Sequence, residues 1–119
     1  MDARRQNDGA KMNVTVQDES GRMVVRMAER RLDALIAGEF KDTVRPHVAG
    51  KGPDLVLDLA AVEFLDSSGL GAVIALKKAL PEGRRMLLRG LTPNVERVFR
   101  LTRMDQVFDI IRGEDGSGA

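Results

Sequence analysis

The chain has 119 residues, of which 43% are hydrophobic and 31% charged, and its formal net charge is +1; that suits one domain with a single hydrophobic core. The near-zero charge supplies no strong field toward nucleic acid or an anionic membrane, and with 3% aromatic residues and no Trp or Tyr, platforms for stacking bases are poorly supplied. With no Cys and one His, His47, the chain excludes disulfides, thiolate metal sites and His-cluster zinc chemistry, so neither a metal nor another cofactor is expected.

Residues 1–10 read as a flexible N-terminal arm and residues 113–119 as a disordered tail, because neither can bury apolar surface. The folded domain is expected over residues 11–112. The polar start, Met1 to Ala10, lacks the apolar stretch of a secretory signal, and no segment is long and apolar enough to span a bilayer; with the lack of Cys this suits a cytoplasmic protein.

Met12, Val14 and Val16 alternate with polar residues, Asp18-Glu19-Ser20-Gly21 is turn chemistry, and Met23, Val25 and Met27 resume the alternation, so a β-hairpin is predicted. From Leu32 the period becomes helical, with Leu32, Leu35, Ile36, Phe40 and Val44 on one face, and Pro46 predicts a break near Arg45. Leu55-Val56-Leu57-Asp58-Leu59, after a Gly/Pro break, reads as a central strand covered on both faces, with Asp58 as no more than a strand-end polar residue.

Residues 67–80 read as a helix whose buried stripe is Leu70, Val73, Ile74 and Leu80. Lys77 and Lys78 lie on its solvated face, where they are also placed to meet an acidic partner. Met86-Leu87-Leu88 reads as another strand. Thr92-Pro93 signals a helix start with Thr as N-cap, and Val95, Val98, Phe99 and Thr102 share a face of that helix. A last short element carries Val107, Phe108, Ile110 and Ile111. The predicted order is β-β-α-β-α-β-α: an α/β domain on a mixed sheet of four to five strands packed by helices.

The chemistry concentrates at Asp66-Ser67-Ser68-Gly69-Leu70-Gly71, which opens the helix after the central strand. Asp and Ser accept hydrogen bonds from the unpaired N–H groups of a helix start, so as a bare pattern this is a cap. Gly69 and Gly71 lower helix propensity, and close backbone approach by a neighbour or partner is one reason for their presence. Asp33 reads either as a helix-start residue or as part of a partner-facing groove near the serine loop. His47 reads as a surface or helix-end residue, since no triad spacing accompanies it. No Gly-x-Ser-x-Gly elbow and no Gly-rich phosphate loop with Lys is present, so the chain is not expected to be an enzyme.

Val56-Leu57-Asp58-Leu59, followed by Val62-Glu63-Phe64-Leu65 and the Asp66 to Gly71 block, resembles the signature of STAS-domain anti-sigma-factor antagonists. Arg31-Leu32-Asp33-Ala34 and the segment from Leu88 to Val95, with Phe99 and Leu101-Thr102, resemble further parts of that family, so the likeness runs from about Met12 to Ile111. The resemblance implies a STAS domain over residues 11–112 and phosphorylation of Ser67, with Ser68 as second choice, by a partner that is both serine kinase and anti-sigma factor. It implies that the unphosphorylated form binds that partner and frees a sigma factor, that phosphate ends the binding, and that a serine phosphatase restores it. Asp66, Ser67, Ser68, Gly69, Leu70, Gly71 and Asp33 carry over as the partner-binding residues; no nucleic-acid or membrane partner is expected. The alternative is a non-switching STAS scaffold or accessory subunit in a stress-signalling or transporter complex. Glu29-Arg30-Arg31, where the family often has Gly before the Leu-Asp pair, and Pro46 depart from the pattern and bear on partner choice.

Overall fold

The computed structural model describes residues 13–112, so the arm expected at residues 1–10, Met12 and the tail at residues 113–119 lie outside the described residues. Strands β1 (Val14–Glu19) and β2 (Arg22–Met27) form the expected antiparallel hairpin. Its two-residue turn puts Ser20 at φ 52° and Gly21 at φ 83°, the doubly left-handed backbone whose twist matches the flanking strands.

Next come β3 (Arg31–Leu32), α1 (Ala37–Val48), β4 (Leu55–Asp58), β5 (Phe64–Leu65), α2 (Ser67–Lys78), β6 (Met86–Arg89), α3 (Pro93–Leu101), a 3₁₀ turn at Met104–Gln106, and β7 (Asp109–Ile111). The main sheet has the order β1-β2-β4-β6-β7, with every pair after the hairpin parallel. A separate parallel pair joins β3 to β5, with Arg31 opposite Phe64 and Leu32 opposite Leu65. The expected mixed five-strand α/β sheet is thus present, and the segments read as a helix start (Leu32) and as a connection (Phe64–Leu65) are its small companion.

Alternation along the strands separates the faces. Val25, Met27, Leu55, Leu57, Met86 and Leu88 point into one core with Phe40, Val44 and Val48 of α1, Leu70, Val73 and Leu76 of α2, and Val95 and Phe99 of α3. Val24, Val56 and Leu87, backed by Ile111, form a smaller cluster on the opposite face. On that opposite face Asp58 is far more than a strand-end residue. It is only 3% exposed, and its carboxylate takes a bond from Arg89 at 2.9 Å and faces Arg26 at 3.7 Å. Arg89 also reaches Glu19 at 3.2 Å, so four strands share one ionic cluster. Asp58 and Glu19 hold the Arg89 guanidinium above its ordinary value, and the Arg89 bond holds the Glu19 carboxyl below its own.

Four local expectations are corrected. Helix α1 starts at Ala37 rather than near Leu32, and Leu35 is 90% exposed on the preceding turn instead of facing the core. Pro46 does not break α1: it sits on the exposed side of the last turn, Val44 and Val48 stay buried on either side, and the Ala49 N–H still donates to the Arg45 carbonyl at 3.0 Å. The Thr92 hydroxyl does not cap α3 but donates to the Val62 carbonyl at 2.7 Å, tying the start of α3 to the loop before β5. Val107 stands in solvent, and only Asp109–Ile111 joins the sheet.

Arg84 is buried and has no carboxylate partner among the described residues. Its guanidinium donates to the carbonyls of Val48 (3.1 Å), Gly50 (3.2 Å) and Pro53 (2.6 Å), so a cation closes the negative end of α1 and the loop into β4. Arg84→Met keeps the aliphatic stem and strands those carbonyls, and is expected to lower unfolding stability by about 3 kcal/mol. Urea titration followed by circular dichroism checks this; a loss below about 0.5 kcal/mol would show that water replaces the guanidinium.

Candidate functional site

The site is built on one carboxylate. Asp66 is extended, at φ −103° and ψ −173°, and its backbone carbonyl accepts the first α2 bond, from the Leu70 N–H at 2.9 Å. One side-chain oxygen accepts the Gly69 N–H at 2.9 Å, which is the cap expected from the sequence. The other accepts the Ala34 N–H at 3.1 Å, from the turn before α1. These donors, the Gly69 N–H foremost, hold the Asp66 carboxyl below the ordinary aspartate range against the opposing effect of desolvation.

Gly69 is required by close approach within the chain. A Cβ there would overlap the Leu32 carbonyl oxygen and stand 3.0 Å from its carbonyl carbon. The segment from Leu32 to Ala34 therefore lies directly against the first turn of α2. Gly71 faces open space, so backbone crowding explains one of the two glycines and not the other. Leu70 is buried in the core, and supports the motif from beneath rather than from its surface.

Ser67 and Ser68 are both exposed, and neither hydroxyl makes a hydrogen bond among the described residues. They face differently. Ser68 lines an open cleft of about 270 Å³ between α1 and α2, with Ala37, Gly38, Lys41, Gly71 and Ala72, whereas Ser67 is not part of its lining. Asp33 stands beside the motif as a turn residue: its carboxylate accepts the Leu35 N–H at 3.1 Å and pairs with Arg31 at 3.3 Å, and its carbonyl accepts the Ala37 N–H at 2.8 Å. The Arg31 guanidinium stacks 4.6 Å from the Phe64 ring centroid. Sequence reasoning placed Asp66, Ser67, Ser68, Gly69 and Asp33 together, but missed the exposed Leu35 and the Arg31–Phe64 pair, whose only signal was the short Arg31 to Ala34 likeness.

The arrangement offers hydroxyls without a base. His47 lies ten residues beyond Ala37 along α1, about 15 Å from the end that meets Ser68. Among the described residues no group of three His, Asp or Glu gathers to hold a metal ion, and no helix is long and apolar enough to cross a membrane.

Fold and site together define an α/β domain that displays a capped serine pair at the carboxyl edge of its parallel strands. A family profile described as "Mlab, STAS domain" matches residues 14–112, so the chain belongs to the STAS-domain family, the family of the anti-sigma-factor antagonists. It is 29% identical over 86 residues to an anti-sigma-B factor antagonist of Listeria monocytogenes, covering 70% of this chain and 75% of the relative. It is 27% identical over 106 residues to one from Bacillus subtilis, covering 88% and 95%. The crystal structure of an anti-sigma factor antagonist from Mycobacterium paratuberculosis superposes with a TM-score of 0.79 at 29% identity, covering 89% of this chain and 90% of that one.

The two glycines are expected to respond oppositely to alanine. Gly69→Ala forces a Cβ into the Leu32 backbone and should cost about 3 kcal/mol, while Gly71→Ala should gain about 0.5–1 kcal/mol of helix propensity. Thermal and urea unfolding of both variants checks the pair.

Asp66 sets a pH dependence. Its folded pKa is depressed, so its stabilisation is present above the ordinary aspartate value of about 4 and is lost as pH falls through the lower folded value. The stability gap between wild type and Asp66→Asn should be widest at neutral pH and shrink below about pH 4. A gap constant down to strongly acidic pH would contradict the bridging role.

Proposed function

We propose that the chain is an anti-sigma-factor antagonist that binds an anti-sigma factor acting also as a serine kinase, and that phosphorylation of Ser67 ends the binding and a serine phosphatase restores it. The observation that carries this reading is the free, exposed Ser67 hydroxyl at the first position of α2, next to an Asp66 whose both side-chain oxygens are already engaged. The names of the bacterial relatives, anti-sigma-B factor antagonists and an anti-sigma factor antagonist, support the binding role.

The choice of Ser67 over Ser68 is supported by orientation. Ser68 lines the cleft against α1 and Lys41, so a kinase reaches Ser67 with less obstruction. Phosphate adds about −1.5 to −2 charges. At the first residue of α2 it meets unpaired N–H groups and the positive end of the helix dipole, so the domain tolerates it. Against a bound partner the same group is bulky and must be desolvated, so the cost falls on the complex. A hundred-fold loss of affinity needs only about 2.7 kcal/mol.

Incubation with an ATP-dependent serine kinase of the anti-sigma type should add one phosphate, which mass spectrometry of tryptic peptides should place on Ser67. Ser67→Ala should block it, and Ser68→Ala should leave it intact. The phosphorylated form should bind the same kinase about a hundred-fold more weakly than the unmodified chain in calorimetry. Phosphate on Ser67→Ala at the wild-type level would refute the assignment.

A further inference from the structure

The solvent face of α3 and the turn after it carries three arginines, Arg97, Arg100 and Arg103, all exposed and none in an ion pair among the described residues. Arg22 and Arg45 are likewise exposed and without an ion pair, but they lie on different elements, β2 and α1, whereas these three fall within seven residues. Arg26, Arg30, Arg31, Arg85, Arg89 and Arg112 each meet an acidic side chain. Arg97 and Arg100, three apart, are neighbours on the α3 surface, and Arg103 follows two residues past the helix end. Two large apolar side chains stand out of the same region: Leu101 is 70% exposed and Val107 52% exposed. The buried face of α3 is already filled by Val95 and Phe99, and Phe99 meets the Phe108 ring edge-on at 5.6 Å, so Leu101 and Val107 have no core left to enter.

Helix-dipole attraction accounts for cations at the end of α3, and so for part of the charge of Arg100 and Arg103. It does not account for Arg97, one turn earlier, or for the exposed Leu101 and Val107. Nor does it account for the backbone of Arg103, which sits left-handed at φ 64° just past the helix end, where glycine or asparagine is the less strained choice. The chain keeps an arginine at a position that favours a smaller residue.

We propose that the solvent face of α3 with its following turn is a second docking surface, whose occupant is an acidic, leucine-bearing segment of a partner protein. Charge complementarity selects the acidic partner, since Glu96 is taken by Arg112 and neither it nor Asp105 pairs with any of the three guanidinium groups among the described residues. The use of arginine alone, with no lysine, suits paired bonds to carboxylates and the composition of protein interfaces. Leu101 and Val107 supply apolar contact too sparse and too free of aromatics for a membrane surface. The chain has no Trp or Tyr, and Phe99 and Phe108 beside this surface are buried, which disfavours single-stranded nucleic acid.

The surface is separate from Ser67. Helix α3 begins beside the serine motif, where Thr92 and Asn94 bond the carbonyls of Val62 and Glu63, and the helix rise carries Arg97 about 6 Å and Leu101 about 12 Å away from that end. A short segment can therefore occupy this surface without covering Ser67, and the state of Ser67 does not decide its binding here. This holds whether or not Ser67 is the phosphorylated residue.

The test uses the full chain and a fluorescein-labelled peptide of repeated Glu-Glu-Leu triplets, read by anisotropy at low salt, with a Lys-Lys-Leu peptide, phosphatidylglycerol vesicles and duplex DNA as parallel probes. The acidic peptide should bind saturably. Arg100→Glu with Arg103→Glu should weaken it at least about tenfold, Leu101→Ser about fivefold, and Lys51→Glu, at an exposed loop position without an ion pair, should leave it unchanged. Circular dichroism monitors folding; if the double Glu variant unfolds, Arg100→Gln with Arg103→Gln carries the same test without acid at the helix end. Ser67→Asp should bind the peptide as wild type does. The proposal is overturned if the acidic peptide does not bind, if the arginine variants bind it equally, if vesicles or DNA bind in preference, or if Ser67→Asp abolishes binding.

Discussion

The geometry of the serine motif depends on the two-sided use of the Asp66 carboxylate. A cap needs one oxygen, which goes to the Gly69 N–H; the second goes to the Ala34 N–H, 32 positions earlier in the chain. Two bonds from one side chain fasten the beginning of α2 to the turn that precedes α1. Once fastened, the Leu32 carbonyl is driven onto the first turn of α2, and only a residue without Cβ fits at position 69. The small β3–β5 pairing follows from the same approach, because Leu32 and Leu65 lie opposite one another immediately before Asp33 and Asp66.

The remaining structure keeps that junction rigid without involving the serines. Arg84 closes the far end of α1 through backbone carbonyls, and the Asp58–Arg89 pair with Arg26 and Glu19 braces four strands from the opposite face of the sheet. A buried pair of this kind costs desolvation, so its contribution lies in fixing strand register more than in net stability. Stability resides in the core and the Arg84 clamp, and the Ser67 and Ser68 hydroxyls bond to nothing among the described residues. A group added to Ser67 therefore breaks no hydrogen bond of the fold among the described residues.

Much of the architecture was legible because periodicity reports burial. The alternating runs gave both hairpin strands, the unbroken apolar run at Leu55 gave the central strand, and the stripes through Leu70 and Val95 gave α2 and α3. The failures share a cause. Leu35 and Leu32 matched a helical stripe by spacing, yet the Asp33 turn delays the helix to Ala37 and sends Leu35 outward. Thr92 matched a cap, yet its hydroxyl donates to the Val62 carbonyl and makes no bond with the helix N–H groups. Pro46 argued for a break, but the bond it deletes falls on the solvent side of a helix held by Val44 and Val48.

The sequence by itself determined the order of the principal elements, the family resemblance, and the position of a serine pair behind a capping aspartate. These depend on spacing and residue type within a dozen neighbours, which is the range over which propensity and capping act. Only the tertiary structure decided what the second Asp66 oxygen does, which glycine is obligatory, which serine faces a cleft, and that Asp58 belongs to an ionic cluster spanning four strands. Each of these joins residues about thirty or more positions apart, and a contact of that separation exists only once the sheet has placed β2, β4 and β6 side by side.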